Sequence, residues 1–264
     1  AHSQGGFPAL RHMNIMTLTR MARTALLALV LAAAFGGQAS ADAEKPLGVV
    51  ELFTSQGCNS CPPADSFFNE LVQKGDVIGL AYHVDYWDYL GWKDTLAKPE
   101  NTERQYAYMR SFGERSIYTP QLILNGREDF MGGDRRSVER GLNDFETSGE
   151  GLVVDLAVVE TKDSIVIKVG PTERPGAEAN LLLVYFEPPR AIDIDRGENV
   201  GRKAIYLNAV TGVRAAGMWH GKAAEFELPK SEFEEKGGCA ALLQAVTEDG
   251  RLGPVLGATL VRHP

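Results

Sequence analysis

The chain has 264 residues and a net charge of −8, a length suited to one large domain or two. No block of Lys and Arg interrupts this acidic balance, which excludes an electrostatic footprint for nucleic acid or anionic lipid. The first 41 residues carry Arg11, Arg20 and Arg23 with no acid, then an apolar segment Ala25 to Phe35, then Ala39-Ser40-Ala41. That pattern predicts a secretory signal peptide and upstream extension (residues 1–41) cleaved after Ala41, because its apolar stretch is shorter than the ~20 residues a membrane span needs. Cleavage leaves 223 residues and moves the net charge from −8 to −11. The expected location is periplasmic or secreted, and no later stretch is long and apolar enough to form a membrane-spanning helix.

In chain order, Val49 to Phe53 predicts a first strand, followed by Cys58-Asn59-Ser60-Cys61. Pro62 and Pro63 suit a first helical turn, where a missing N–H is not needed. Phe67, Phe68, Leu71 and Val72 recur at helical spacing until Lys74-Gly75 ends the helix. Val77 to Val84 predicts the second strand. An aromatic segment follows, with Tyr82, Tyr86, Trp87, Tyr89 and Trp92 around His83, Asp85 and Asp88, and then a helix over Asn101 to Phe112. Most of these rings are expected to pack in a core. Gln121 to Leu124 predicts a third strand, Asn125-Gly126 a hairpin turn, Asp129 to Met131 the start of its partner, and Asp134 the N-cap of a closing helix through Leu142 and Phe145. The order is β-α-β-α-β-β-α.

After Gly149-Glu150-Gly151 the texture changes to strands alone. Leu152 to Val159, Ile165 to Val169, Leu181 to Phe186, Ala204 to Val210, Ala223 to Leu228, Cys239 to Val246 and Val255 to Val261 predict a small β-sandwich. The expected organisation is an α/β domain over residues 42–149 with a helical, aromatic insertion, then a β-rich, sandwich-like domain over residues 150–264.

Two cysteines separated by two residues can close a small disulfide or open to two thiols. A helix starting at Cys58 would favour its thiolate through unpaired backbone N–H groups. Cys61, one turn on, would be shielded, and Asn59 and Ser60 would add donors toward the Cys58 sulfur. Cys239 lies in an apolar run and is expected to be a buried free thiol. In an oxidising compartment a Cys58–Cys61 disulfide persists until a reductant arrives.

The chain resembles an uncharacterised family of exported bacterial proteins with a thioredoxin-like domain. The resemblance rests on the segments from Glu51 to Asp65, His83 to Trp92, Tyr118 to Gln121 and Gly197 to Arg202. It implies a fold and no established activity. The wider resemblance to thioredoxins implies that Cys58 is the nucleophile, Cys61 the resolving thiol and Pro120 a cis proline, with the Thr119 backbone free to pair with an extended substrate beside the dithiol. Two features depart from thioredoxins: Gly57 and Asn59-Ser60 replace their usual neighbours of the cysteines, and Leu52 stands where their buried acid lies. The nearest acid, Glu51, faces the opposite side if strand alternation holds, and it is an auxiliary proton-relay candidate only.

Three functional readings follow. The leading one is an exported thiol–disulfide oxidoreductase acting on exported thiol or disulfide proteins, using Cys58, Cys61, Thr119 and Pro120 and calling for no cofactor or metal. The second is a soft-metal module in which Cys58, Cys61 and His83 hold Cu(I). The third is an interaction protein with a structural disulfide. His83 ends a strand beside the one leading to Cys58, so it is either an auxiliary proton carrier or ligand at the dithiol, or a satisfied structural histidine. The cluster Arg196, Glu198, Asn199 and Arg202 is read equally as a functional loop or a solvated turn.

Overall fold

The computed structural model describes residues 45–174, 176–233 and 237–261, so the predicted signal peptide lies outside the described residues. Strand β1 (Gly48–Thr54) is followed by helix α1 (Pro62–Lys74), β2 (Val77–His83), a 3-10 turn at Asp88–Leu90 and helix α2 (Pro99–Phe112). Strands β3 (Gln121–Leu124) and β4 (Glu128–Met131) form a hairpin, and helix α3 (Arg135–Ser148) follows. The four strands form one sheet in the order β2-β1-β3-β4, with β1 parallel to β2 and antiparallel to β3. The hairpin turns where Asn125 (φ 49°) and Gly126 (φ 60°) both adopt left-handed backbone, which Asn and Gly accommodate most cheaply. The Asn125 side chain also accepts a hydrogen bond from the Val49 N–H at 2.7 Å, tying the turn to the start of β1.

The second half holds β5 (Leu156–Glu160), β6 (Ser164–Val169), β7 (Ala179–Phe186), β8 (Arg190–Asp193), β9 (Lys203–Tyr206), β10 (Val210–Trp219), β11 (Ala224–Pro229), β12 (Gly238–Val246) and β13 (Leu252–Val261). They form a four-stranded sheet β10-β7-β12-β13, a three-stranded sheet β11-β6-β5 and the separate β8-β9 hairpin.

The sheets stack in layers because their strands alternate. On one face of the first sheet, Val50 and Leu52 pack with Phe67, Phe68 and Leu71 of α1 and Val138 and Leu142 of α3. On its other face, Val49, Phe53, Leu80 and Tyr82 pack with Tyr108 of α2 and with Val184, Leu242 and Val255 of the four-stranded sheet. That second sheet is buried on both sides: Leu181, Leu183, Ala241 and Leu243 point away from the first sheet, toward Ile165, Ile167 and Leu228 of the three-stranded sheet. Burial on both faces explains why β7 and β12, each with a single amide side chain, read as near-continuous apolar runs although they are antiparallel. Each large side chain so buried contributes about 1.5–3 kcal/mol. Packing is therefore continuous across residue 149, and the described residues belong to one compact unit. None of the described helices is long and apolar enough to cross a membrane.

Candidate functional site: a covered disulfide at the head of a helix

Strand β1 delivers the chain to a buried turn. The Cys58 N–H donates to the Ser55 carbonyl at 3.1 Å, and the Cys61 N–H donates to the Cys58 carbonyl at 3.2 Å, so the motif is a single tight turn. Cys58 and Cys61 are joined by a disulfide, with their Cα atoms 5.4 Å apart. The helix starts where the two prolines place it and not at Cys58. It begins at Pro62, with Cys61 at its N-cap and the Asp65 N–H donating to the Cys61 carbonyl at 3.0 Å. Pro62 and Pro63 occupy the first helical positions without N–H groups, so this helix end offers the sulfurs less direct donation than an ordinary N-terminus.

A second departure concerns access. Asn59 and Ser60 are exposed, whereas Cys58 is 2% exposed and Cys61 is fully buried. Both cysteines are buried, and of the two only Cys58 keeps any exposed surface.

The Thr119–Pro120 peptide bond is cis, and this segment faces the turn. The Ser60 hydroxyl lies 3.4 Å from the Cys58 Sγ and donates to the Thr119 carbonyl at 3.5 Å, spanning the two loops. The Trp87 indole N–H donates to the Thr119 hydroxyl at 2.7 Å. Part of the aromatic insertion thus serves as a wall of the site: Trp87 is half-buried there, Tyr82 lies in the core, and Tyr89 is 77% exposed.

A cluster of buried polar side chains lies on the α1 face of β1 and β2. Thr54 donates to the Asp65 carboxylate at 2.6 Å. His83 Nδ1 lies 2.8 Å from Asp94 Oδ2, the same oxygen that accepts the Gln56 N–H at 2.7 Å. Gln56 in turn accepts the Trp92 indole N–H at 2.8 Å. His83 is completely buried, its Nε2 has no hydrogen-bond partner among the described residues, and the Tyr206 ring meets it edge-on at 4.7 Å. Burial pushes the Asp65 carboxyl up to about 6 against the Thr54 hydrogen bond and the His83 charge. Burial alone would lower His83, but the Asp94 carboxylate outweighs it and holds the imidazole above its ordinary value. The same pairing overcomes burial at Asp94 and holds that carboxyl below its ordinary range. His83 therefore joins a carboxylate network next to the dithiol turn through Gln56. Among the described residues, no group of three or more His, Cys, Asp and Glu side chains is arranged to hold a metal ion.

Glu51 is not brought to the dithiol. Strand alternation turns it to the opposite face of β1, where it is fully buried, pairs with Arg104 at 2.7 Å and accepts from the Tyr108 hydroxyl. Gln244 of β12 completes this second cluster: its carbonyl accepts from Arg104 at 3.0 Å and its amide donates to Tyr108 Oη at 2.9 Å. Cys239 is likewise remote in its packing, buried in the core between the two antiparallel sheets.

Asn199, which the sequence left between a functional loop and a solvated turn, touches the dithiol turn. It sits in the loop 194–202 joining β8 to β9, is 2% exposed, and its amide donates to the carbonyls of Gln56 at 2.9 Å and Cys58 at 2.8 Å. The solvated-turn reading fails at this one side chain, although Arg196, Glu198 and Arg202 are exposed. Gly197, with φ 76°, lies so close to the insertion that an added Cβ would meet the Trp92 Cβ at 2.9 Å. The available sequence signal was an Asn bracketed by Gly197 and Gly201, both in left-handed backbone.

The fold and the site can be set beside known proteins. A crystal structure of a protein from Agrobacterium tumefaciens is 42% identical and superposes with a TM-score of 0.75 over 84% of this chain and 99% of that chain. Among curated proteins none matches. The model of a family described as a protein of unknown function, DUF1223, matches residues 49–244, which include the disulfide, the Thr119–Pro120 segment and Asn199, and the chain belongs to that family.

Proposed function

We propose that this protein is an exported thiol–disulfide oxidoreductase with a thioredoxin-like site, acting on cysteines of exported proteins in the periplasm or outside the cell. The observation that carries the reading is the Cys58–Cys61 disulfide at the head of α1, bridged by Ser60 to the Thr119 carbonyl of the facing loop. In the reducing direction the Cys58 thiolate attacks a substrate disulfide, forming a mixed disulfide and expelling one substrate thiolate, which takes up a proton. The Cys61 thiolate then attacks the Cys58 sulfur, re-forming the intramolecular disulfide and releasing the second substrate thiol. Two electrons pass from the protein to the substrate, and a partner dithiol returns them. Oxidation of a substrate dithiol is the same sequence reversed.

A second reading is favoured by one observation, the burial of both cysteines: the disulfide is a staple for the turn. Insulin reduction in the presence of a dithiol separates the two. The oxidoreductase reading expects turnover that Cys58→Ser abolishes, and a Cys61→Ser variant that accumulates a mixed disulfide with its partner. A protein that neither turns over nor is trapped, yet loses thermal stability on reduction, is the staple.

A further inference from the structure

We infer that the loop 194–202 is a gate over the disulfide, with Asn199 as its latch, and that exchange at Cys58 occurs only when the tip of this loop lifts; this rests on the oxidoreductase reading.

The base of the loop is anchored by strand pairing, whereas its tip is held by the Asn199 side chain and the packing of Gly197 against Trp92. At the base, the β8–β9 pairing is continued by the Ile194 N–H donating to the Arg202 carbonyl at 2.9 Å and the Gly201 N–H donating to the Ile194 carbonyl at 2.8 Å. The hairpin is tied to the first sheet and α1: the Ala81 N–H donates to the Asn208 carbonyl at 3.0 Å, the Asn69 amide donates to the Ile205 carbonyl at 2.7 Å, and Tyr206 is buried against His83. At the tip only Asn199 is buried; Glu198 is exposed and Val200 is 62% exposed.

The latch has the energetics a gate needs. Asn199 gains two hydrogen bonds to backbone carbonyls, but its own Oδ1 is buried without a partner among the described residues. A stranded acceptor offsets much of what two such bonds contribute, so the closed state is only modestly favoured. The carbonyls of Gln56 and Cys58 are present whether the sulfurs are joined or reduced. The latch therefore does not discriminate between redox states: it controls the rate of exchange and not the position of its equilibrium.

Dithiothreitol tests this without any protein substrate. Its thiolate attacks the Cys58 Sγ, and the Cys58–Cys61 bond breaks with its electron pair passing to Cys61, which takes up a proton. The second reagent thiolate then closes the cyclic reagent disulfide and releases Cys58, so two electrons move from reagent to protein. Asn199→Ala is expected to raise the rate constants for reduction and for reoxidation by about tenfold each, the loss of two hydrogen bonds net of the stranded acceptor, with the redox equilibrium unchanged. Gly197→Ala, which drives a methyl group into Trp92 and strains a left-handed position, should do the same from the other side of the tip. In the unaltered protein, amide hydrogen exchange at 195–199 should be faster than in β8 and β9. Unchanged rates in folded variants, a rate change matched by an equal shift of the equilibrium, or tip amides as protected as the strands would each overturn the gate. Faster reduction of Asn199→Ala in a protein inactive on insulin would leave the gate standing and remove the oxidoreductase; turnover on insulin with an unaltered dithiothreitol rate would do the reverse.

Discussion

Strand β1 separates two buried polar clusters of different character. On the face toward the four-stranded sheet, Glu51, Arg104, Tyr108 and Gln244 form a closed set in which both carboxylate oxygens and both ends of the Gln244 amide are used. Burial alone would lower the Arg104 guanidinium, yet Glu51 outweighs it and holds it above its ordinary value. On the face toward α1, Thr54, Asp65, His83 and Asp94 form an open set, with an imidazole nitrogen left unpartnered among the described residues and a carboxyl pushed up to about 6 by burial. The closed set joins two halves of the chain. The open set adjoins the disulfide and tolerates the unpaired and perturbed groups that cluster where chemistry is done.

The largest break in this comparison is at the closed set. Arg104→Met leaves Glu51 buried without its cation, and urea unfolding should show a loss of about 3–5 kcal/mol. Combining it with Glu51→Gln should recover part of that loss. Dithiothreitol reduction of the disulfide should be unaffected in either variant, since the cluster lies behind the sheet.

At the open set the expected effect is smaller and depends on pH. The folded pKa of Asp65, about 6, lies above its ordinary 3.8, so Asp65 stabilises the fold only while protonated. Relative to Asp65→Asn, the wild type loses stability as pH rises from about 4 through about 6, by roughly 3 kcal/mol at neutral pH. Urea midpoints for the two proteins between pH 4 and 8 check this; parallel curves would remove the buried, raised carboxyl from the comparison.

His83 should give the smallest signal. Its folded pKa is raised above 6.5 by Asp94, so its contribution is complete below pH 6.5 and is lost as pH rises through the folded value. The stability gap between wild type and His83→Gln, about 1–2 kcal/mol in mildly acidic solution, should narrow toward alkaline pH. A gap that widens instead would place the neutral imidazole in the folded state.

Much of the local structure was legible. The strand before Cys58 is Gly48–Thr54, the helix after it ends at Lys74 before a left-handed Gly75, and Asn125-Gly126 makes its turn. Asp134 caps α3 as its position suggested, accepting from the Ser137 N–H. Alternation along β1 also turns Glu51 away from the dithiol. Less legible was what each face meets. Arg104 looks like one more charge on an amphipathic helix until Glu51, 53 positions away, is set against it, and Gln244 belongs to the same cluster from a strand that is otherwise apolar.

What the sequence by itself determined is therefore local: the spacing that lets Cys58 and Cys61 close on each other, the prolines that start α1, and the period that assigns each strand residue a side. These follow from covalent reach and backbone sterics, which act within a few residues. Only the tertiary structure decided that both cysteines are buried and that Asn199, 141 positions beyond Cys58, donates to the carbonyl of the turn. A hydrogen bond between distant segments depends on the packing of everything between them, and no local pattern encodes that distance.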